Sequence, residues 1–282
     1  MNSVSGKVAL VTGGASGIGA ALTAKLVDGG AEVWIADRQI EVAQELARSL
    51  DEAGTQAHAI ELDVRDYSSF ESAVAEVVRR SGRIDYLFNN AGIGVGGEID
   101  SYTLEDWNDV FDVNLRGVVH GIQAVYPIMI RQRSGHIVNT ASMAGLLAAP
   151  GSASYTASKH AVVAISKVLR LEAERHGVRV SVLCPGAIRT PILTMGKYGR
   201  FTGVSGEEIL KYWEPMRPMA PEKFAERALR AVLRGNGVII VPRWWKAAWY
   251  VDRLSQTASR QVGRLTLKRL RALRRDSGTP AG

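Results

Sequence analysis

Cysteine is nearly absent from this chain. Cys184 is the only one in 282 residues, so no internal disulfide can form. Within Val180-Ser181-Val182-Leu183-Cys184-Pro185 it reads as a small core hydrophobe at a strand end rather than a reactive thiol. The five histidines, His58, His120, His136, His160 and His176, are scattered and lack acidic or cysteine partners at metal-ligand spacing, so no metal site is expected. No stretch reaches the roughly 18 uninterrupted apolar residues of a membrane-spanning helix. The start, Met1 to Lys7, lacks a basic segment followed by a long apolar run and a cleavage site. A soluble, cytoplasmic protein is expected. Internal repeats are missing too, and only Asp276–Gly282 reads as a frayed end.

Excess charge is missing from most of the chain. The net charge is +7, but Arg243 to Asp276 holds ten Lys/Arg against two Asp/Glu, leaving 25 basic and 26 acidic residues elsewhere. The basicity therefore belongs to the tail, and a body that binds nucleic acid is not expected.

What the chain does have is alternation. Apolar runs at Lys7–Thr12, Glu32–Ala36, Ala57–Leu62, Ile84–Phe88, Gly135–Thr140, Val178–Leu183 and Val238–Val241 read as seven strands. Amphipathic stretches separate them, including one long helix from about Thr103 to Arg131 and another over Ser152–His176. Near-continuous Val/Ile/Ala/Leu strands between helices predict an α/β fold with a parallel sheet covered on both faces. With right-handed crossovers this is a doubly wound Rossmann fold. One core suffices: residues 1–242 are expected as a single α/β domain and 243–282 as a basic, aromatic, helical tail.

Thr12-Gly13-Gly14-Ala15-Ser16-Gly17-Ile18-Gly19 lies between the first strand and the first helix. Glycines there let backbone N–H groups approach a pyrophosphate, and the helix offers its positive end to that anion. Asp37, closing the second strand, suits ribose hydroxyls and repels a 2′-phosphate. NAD is thus expected over NADP, although the adjacent Arg38 could accommodate a phosphate or stack on adenine. Asp63-Val64 and Asn89-Asn90-Ala91-Gly92 follow the third and fourth strands and belong with the same ligand.

Tyr155 and Lys159 share a helix face one turn apart, and an ammonium near a phenol lowers the phenol pKa from about 10. Ser142, just past the fifth strand, can hold a substrate oxygen against Tyr155. Asn114 on the preceding helix can hold a water that links Lys159 to solvent.

From Lys7 to about Pro242 these motifs resemble the short-chain dehydrogenase/reductase family: Thr12, Gly13, Gly17 and Gly19, Asp63, Asn89 to Gly92, Asn114, Ser142, Tyr155 with Lys159, and Pro185-Gly186. The resemblance implies an Asn-Ser-Tyr-Lys tetrad, with Lys159 also on the nicotinamide ribose and Ile188 and Thr190 at the carboxamide. It implies an oxidoreductase in which Tyr155 exchanges a proton with the substrate oxygen as hydride moves to or from nicotinamide. It also implies a dimer or tetramer through the helices bearing Asn114 and Tyr155. A keto-acyl-type reductase using NADP, and a non-catalytic NAD-binding regulator, are the rival functions.

A substrate lid is expected at about 191–218, carrying Ile192, Leu193, Met195, Tyr198, Phe201, Tyr212, Trp213 and Met216 on glycine hinges at Gly196, Gly199 and Gly203. Met143, Leu146 and Leu147 would form the opposite wall, so a lipophilic alcohol or ketone is the expected substrate. In the tail, Trp244, Trp245, Trp249 and Tyr250 precede Leu265, Leu267, Leu270 and Leu273 among basic residues. That pattern suits an anionic membrane surface, a subunit or lid contact, or a helix packed on its own body with a solvated charged face.

Overall fold

The computed structural model describes residues 3–194, 199–201 and 206–276. The chain begins with β1 (Val8–Thr12), α1 (Gly17–Asp28), β2 (Glu32–Asp37), α2 (Ile40–Leu50), β3 (Ala57–Glu61), α3 (Tyr67–Ser81) and β4 (Tyr86–Asn89). A three-residue strand, β5 (Gly94–Gly96), precedes α4 (Leu104–Phe111) and α5 (Gly117–Gln132). Then come β6 (Gly135–Thr140), α6 (Ala153–Ala173), β7 (Val178–Pro185), the short β8 (Gly199–Phe201), α7 (Gly206–Trp213), α8 (Pro221–Leu233) and β9 (Val238–Val241). Two helices close the chain, α9 (Trp245–Leu254) and α10 (Gln256–Asp276).

Seven strands form one all-parallel sheet in the order β3-β2-β1-β4-β6-β7-β9. The expected doubly wound Rossmann topology is therefore what this single domain adopts. All five residues of β1 are buried, and successive side chains go to opposite faces: Leu10 packs with Phe70, Val77, Ile122 and Val162, whereas Val11 packs with Leu22, Leu26, Phe224 and Val232. Helices α3, α5 and α6 thus cover one face, and α1, α2 and α8 the other. Strand order reverses between β1 and β4, which opens a crevice beyond their C-terminal ends.

Two features depart from the expected organisation. The helix expected over Thr103–Arg131 forms as α4 and α5 in one helical run, but with a π turn at Asp112–Arg116 inside it. A π turn inserts one residue per turn and rotates what it carries, here Asn114. Strands β5 and β8 pair in parallel as a small second sheet. Both are too short to show a period-two pattern in the sequence.

Candidate active site

Thr12 at the end of β1 organises the crevice. Its hydroxyl accepts from the N–H groups of Asn90 (3.0 Å) and Ala91 (3.2 Å), tying the segment after β4 to the end of β1. The Asn90 amide donates to the carbonyls of Thr12 and Gly13, both at 3.3 Å. Gly17 stands at φ +52°, so the loop turns into α1 through a conformation that favours glycine. A Cβ on Gly19 would sit 2.0 Å from the Gly13 oxygen, so only glycine lets α1 start this close to the loop.

Ser16 caps α1 with no side-chain hydrogen bond, and no acidic residue occupies the first turn. The helix therefore presents uncapped N–H groups and its positive end to the crevice. Asp37 is buried, accepting from Ala15 N–H (3.2 Å) and Gln39 N–H (3.1 Å), with its carboxylate at the crevice wall. A bare helix N-terminus beside a glycine cradle, with a carboxylate one strand away, fits a dinucleotide.

A single cavity of about 430 Å³ runs from this loop to the last helix. Gly13, Ser16, Gly17, Ile18, Asp37, Arg38, Asp63, Val64, Asn90, Ala91 and Gly92 line one end. Ser142, Tyr155, Lys159, Pro185, Gly186, Ile188 and Thr190 line its middle, and Met143, Leu147 and Ile192 lie further along. Two of the expected site residues are elsewhere. Gly19 stands behind the loop as a packing residue. Asn114 is fully buried outside the cavity wall. Its amide grips both backbone groups of Ile93, accepting from the N–H (2.8 Å) and donating to the carbonyl (2.9 Å), and it reaches the Ser158 hydroxyl at 3.3 Å. Ser158 in turn donates to the Tyr155 carbonyl at 2.8 Å. Asn114 thereby supports the backbone beneath Tyr155 and beside Gly92, through the π turn that no sequence period reveals.

Ser142 and Tyr155 line the cavity together, and the Ser142 hydroxyl is near enough to favour the ionised phenol. Lys159 is buried, donates to the Thr140 carbonyl at 2.9 Å, and stands 5.6 Å from the Tyr155 ring centre. Here the expected electrostatics need correction. Burial pushes the Tyr155 phenol up from its ordinary value, and the Ser142 hydroxyl works against that shift. Lys159 Nζ stands over the Tyr155 ring, and desolvation lowers it to about 8. The spacing placed the ammonium near the ring but could not say which atom it would meet.

The adenosine end contains a residue the motifs did not flag. Arg65 lines the cavity and makes an ion pair with Asp63, Nη2 to Oδ2 at 2.6 Å, holding that carboxyl below its usual range. Asp63 is thus tied to its neighbour as well as placed on the wall.

The opposite end is apolar and comes from the later part of the chain. Ile192, Leu193, Tyr212, Trp213 and Met216 of the expected lid line it, while Leu146 belongs to the core beneath. Met195, Gly196, Tyr198 and Gly203 lie outside the described residues. The tail completes this end: Trp245, Val262, Thr266 and Leu270 face the cavity. Leu270 is buried on Gly151, and Arg271 clasps Glu98 with an Nη2–Oε2 distance of 2.6 Å. Of the readings open for the tail, one face is therefore a contact over the cavity. Among the described residues no group of His, Cys, Asp and Glu is placed to hold a metal.

Fold and site together define a dinucleotide-dependent oxidoreductase with a tyrosine–lysine–serine centre. The family profile described as short chain dehydrogenase matches residues 7–197. The chain is 40% identical over 191 residues to the 2,5-dichloro-2,5-cyclohexadiene-1,4-diol dehydrogenase LinX of Sphingobium indicum, covering 68% of this chain and 76% of that one. A short-chain dehydrogenase/reductase from Burkholderia phymatum in complex with NAD superimposes with a TM-score of 0.81 at 30% identity, covering 89% of this chain and 94% of that one. The 3-ketoacyl-(acyl-carrier-protein) reductase from Brucella melitensis, complexed with NADH, does so at 0.75 and 29% identity, covering 85% and 98%. The chain belongs to the short-chain dehydrogenase/reductase family.

Proposed function

We propose that this enzyme uses NAD to interconvert a lipophilic secondary alcohol and its ketone, with Tyr155 as general acid–base. The observation that carries the reading is one cavity joining the Ser142–Tyr155 pair to an apolar end built from Leu147, Ile192, Tyr212, Trp213 and Leu270. A nicotinamide dinucleotide supplies the hydride donor or acceptor when bound. Its pyrophosphate would rest on the uncapped start of α1, its adenosine ribose at Asp37, and its nicotinamide half near Lys159, Ile188 and Thr190.

Ser142 orients the substrate oxygen and Tyr155 gives it a proton in reduction or takes one in oxidation. Lys159 holds the backbone at Thr140 and keeps a positive charge beside the ring. The LinX relative is named for a cyclic diol, which fits a secondary alcohol on an apolar frame.

Arg38 and Arg65 at the adenosine end favour a second reading, an NADP-dependent keto-acyl-type reductase. A screen of apolar alcohols and ketones, keto-acyl thioesters and polar sugars with NAD and NADP in parallel separates the two. The expected result is the highest kcat/KM for an apolar alcohol or ketone with NAD. A preference for NADP with keto-acyl thioesters supports the second reading, and a sugar preference contradicts both.

A further inference from the structure

Six of the thirteen exposed large apolar side chains among the described residues fall between Trp244 and Leu265: Trp244, Tyr250, Val251, Leu254, Val262 and Leu265. Leu254 is 85% and Leu265 62% exposed. Of these only Val262 also borders the cavity, so the candidate active site does not account for the other five. The tail's inner face is already seated, through Trp245 and Trp249 packed on the core, Leu270 on Gly151 and Arg271 on Glu98.

Basic residues surround this outer face. Arg243, Lys246, Arg260, Arg264 and Lys268 have no carboxylate within ion-pair distance among the described residues. Ten Lys/Arg against two Asp/Glu between Arg243 and Asp276 make this the one strongly charged region of the chain. Apolar side chains interleaved with unpaired cations, and indole and phenol rings among them, match a surface that is apolar inside and negatively charged outside.

Two other occupants fit less well. A second copy meeting this face about a two-fold axis would set the same positive patch against itself. A nucleic acid would leave Leu254 and Leu265 without apolar partners, and the rest of the chain, with 25 basic and 26 acidic residues, adds no supporting field.

We propose that the exposed face of α9 and α10 is a docking surface for an anionic lipid bilayer. Because Val262 and Thr266 also border the cavity, docking brings the apolar end of that cavity to the bilayer surface. The proposal stands apart from the choice of substrate and cofactor.

Full-length protein is co-sedimented with vesicles of phosphatidylcholine alone and of equimolar phosphatidylcholine and phosphatidylglycerol. Two double variants, Leu254→Glu with Leu265→Glu and Arg260→Glu with Arg264→Glu, are run beside it. The mixed vesicles are expected to bind the protein roughly tenfold or more better than phosphatidylcholine alone, with the advantage lost in high salt. Each double variant is expected to lose binding by a similar factor at unchanged Tm and turnover; keeping two independent variants covers the case where one fails to fold. Absence of binding to mixed vesicles, equal binding to both vesicle types, or full binding by a folded variant overturns the proposal. So does a concentration-dependent oligomer that Leu254→Glu with Leu265→Glu abolishes while vesicles bind nothing, or tighter binding to duplex DNA than to mixed vesicles.

Discussion

The two ends of the cavity are built differently. The cofactor end is made from strand termini of one parallel sheet, where Thr12, Asn90 and Asp37 are held by hydrogen bonds to neighbouring backbone. The substrate end is made from segments far apart in the chain: the turn after β6, the start of the lid, α7, and α10 returning from the end of the molecule. The first end has little freedom to change, because each group there serves backbone geometry as well as ligand. The second is held by side-chain packing and the Arg271–Glu98 ion pair, which solvent screens. On the reading proposed above, the chemistry belongs to the rigid half and substrate choice to the adaptable half.

The largest effect expected at the rigid end, short of removing the catalytic group, comes from Gly19→Ala. Its Cβ would lie 2.0 Å from the Gly13 oxygen and 2.7 Å from the Asn90 amide nitrogen, and forcing atoms into such a site costs about 1–3 kcal/mol. NADH affinity by fluorescence titration should fall by about tenfold to a hundredfold, with a lower Tm. An unchanged affinity would show the loop to be more pliable than this comparison holds. Asp37→Ser should be milder and selective. Losing a charged acceptor is worth about 1.5–3 kcal/mol, so the NAD-over-NADP ratio of kcat/KM should drop by an order of magnitude or more, with a lower Tm because the Ala15 and Gln39 N–H groups lose their acceptor.

At the adaptable end the sign of the split reverses. Leu270→Ala removes a buried side chain that borders the cavity, at a cost of about 2 kcal/mol. KM for bulky apolar substrates should rise severalfold while NADH affinity stays the same. A change in cofactor affinity as large as the change in KM would mean that the two ends are not independent.

The smallest effect is a pH slope. Lys159 sits at about 8 in the folded protein against an ordinary 10.5. The unfolded chain therefore binds more protons across that interval, and stability from this group rises as pH increases from about 8 to 10.5. Urea titrations at pH 8 and pH 10 should show wild type gaining on Lys159→Met. Parallel pH dependences for the two proteins would contradict the burial of a charged lysine.

The same contrast explains what could be read from the residues alone. All seven sheet strands were legible, with ends within about two residues, because strands buried on both faces are unbroken apolar runs. The glycine loop, Asp37, Ser142 and the Tyr155–Lys159 pair line one cavity because strand ends and one helix turn carry them to the same sheet edge. What escaped was decided at long range. The π turn that places Asn114 answers to the backbone of Ile93, and Arg65 matters only because Asp63 turns toward it. The direction of the Tyr155 shift depends on burial, and the tail's place over the cavity depends on Gly151 and Glu98, more than a hundred positions upstream. No periodicity in the tail records those partners.

The central claim is that Tyr155 transfers the proton at the meeting point of the two ends. Tyr155→Phe keeps the ring against Lys159 and removes only the hydroxyl, so steady-state turnover and NADH fluorescence titration of this variant test the claim together. Turnover should fall by roughly 10²–10⁴-fold with NADH affinity within about twofold of wild type. A Phe variant that retains turnover would contradict it.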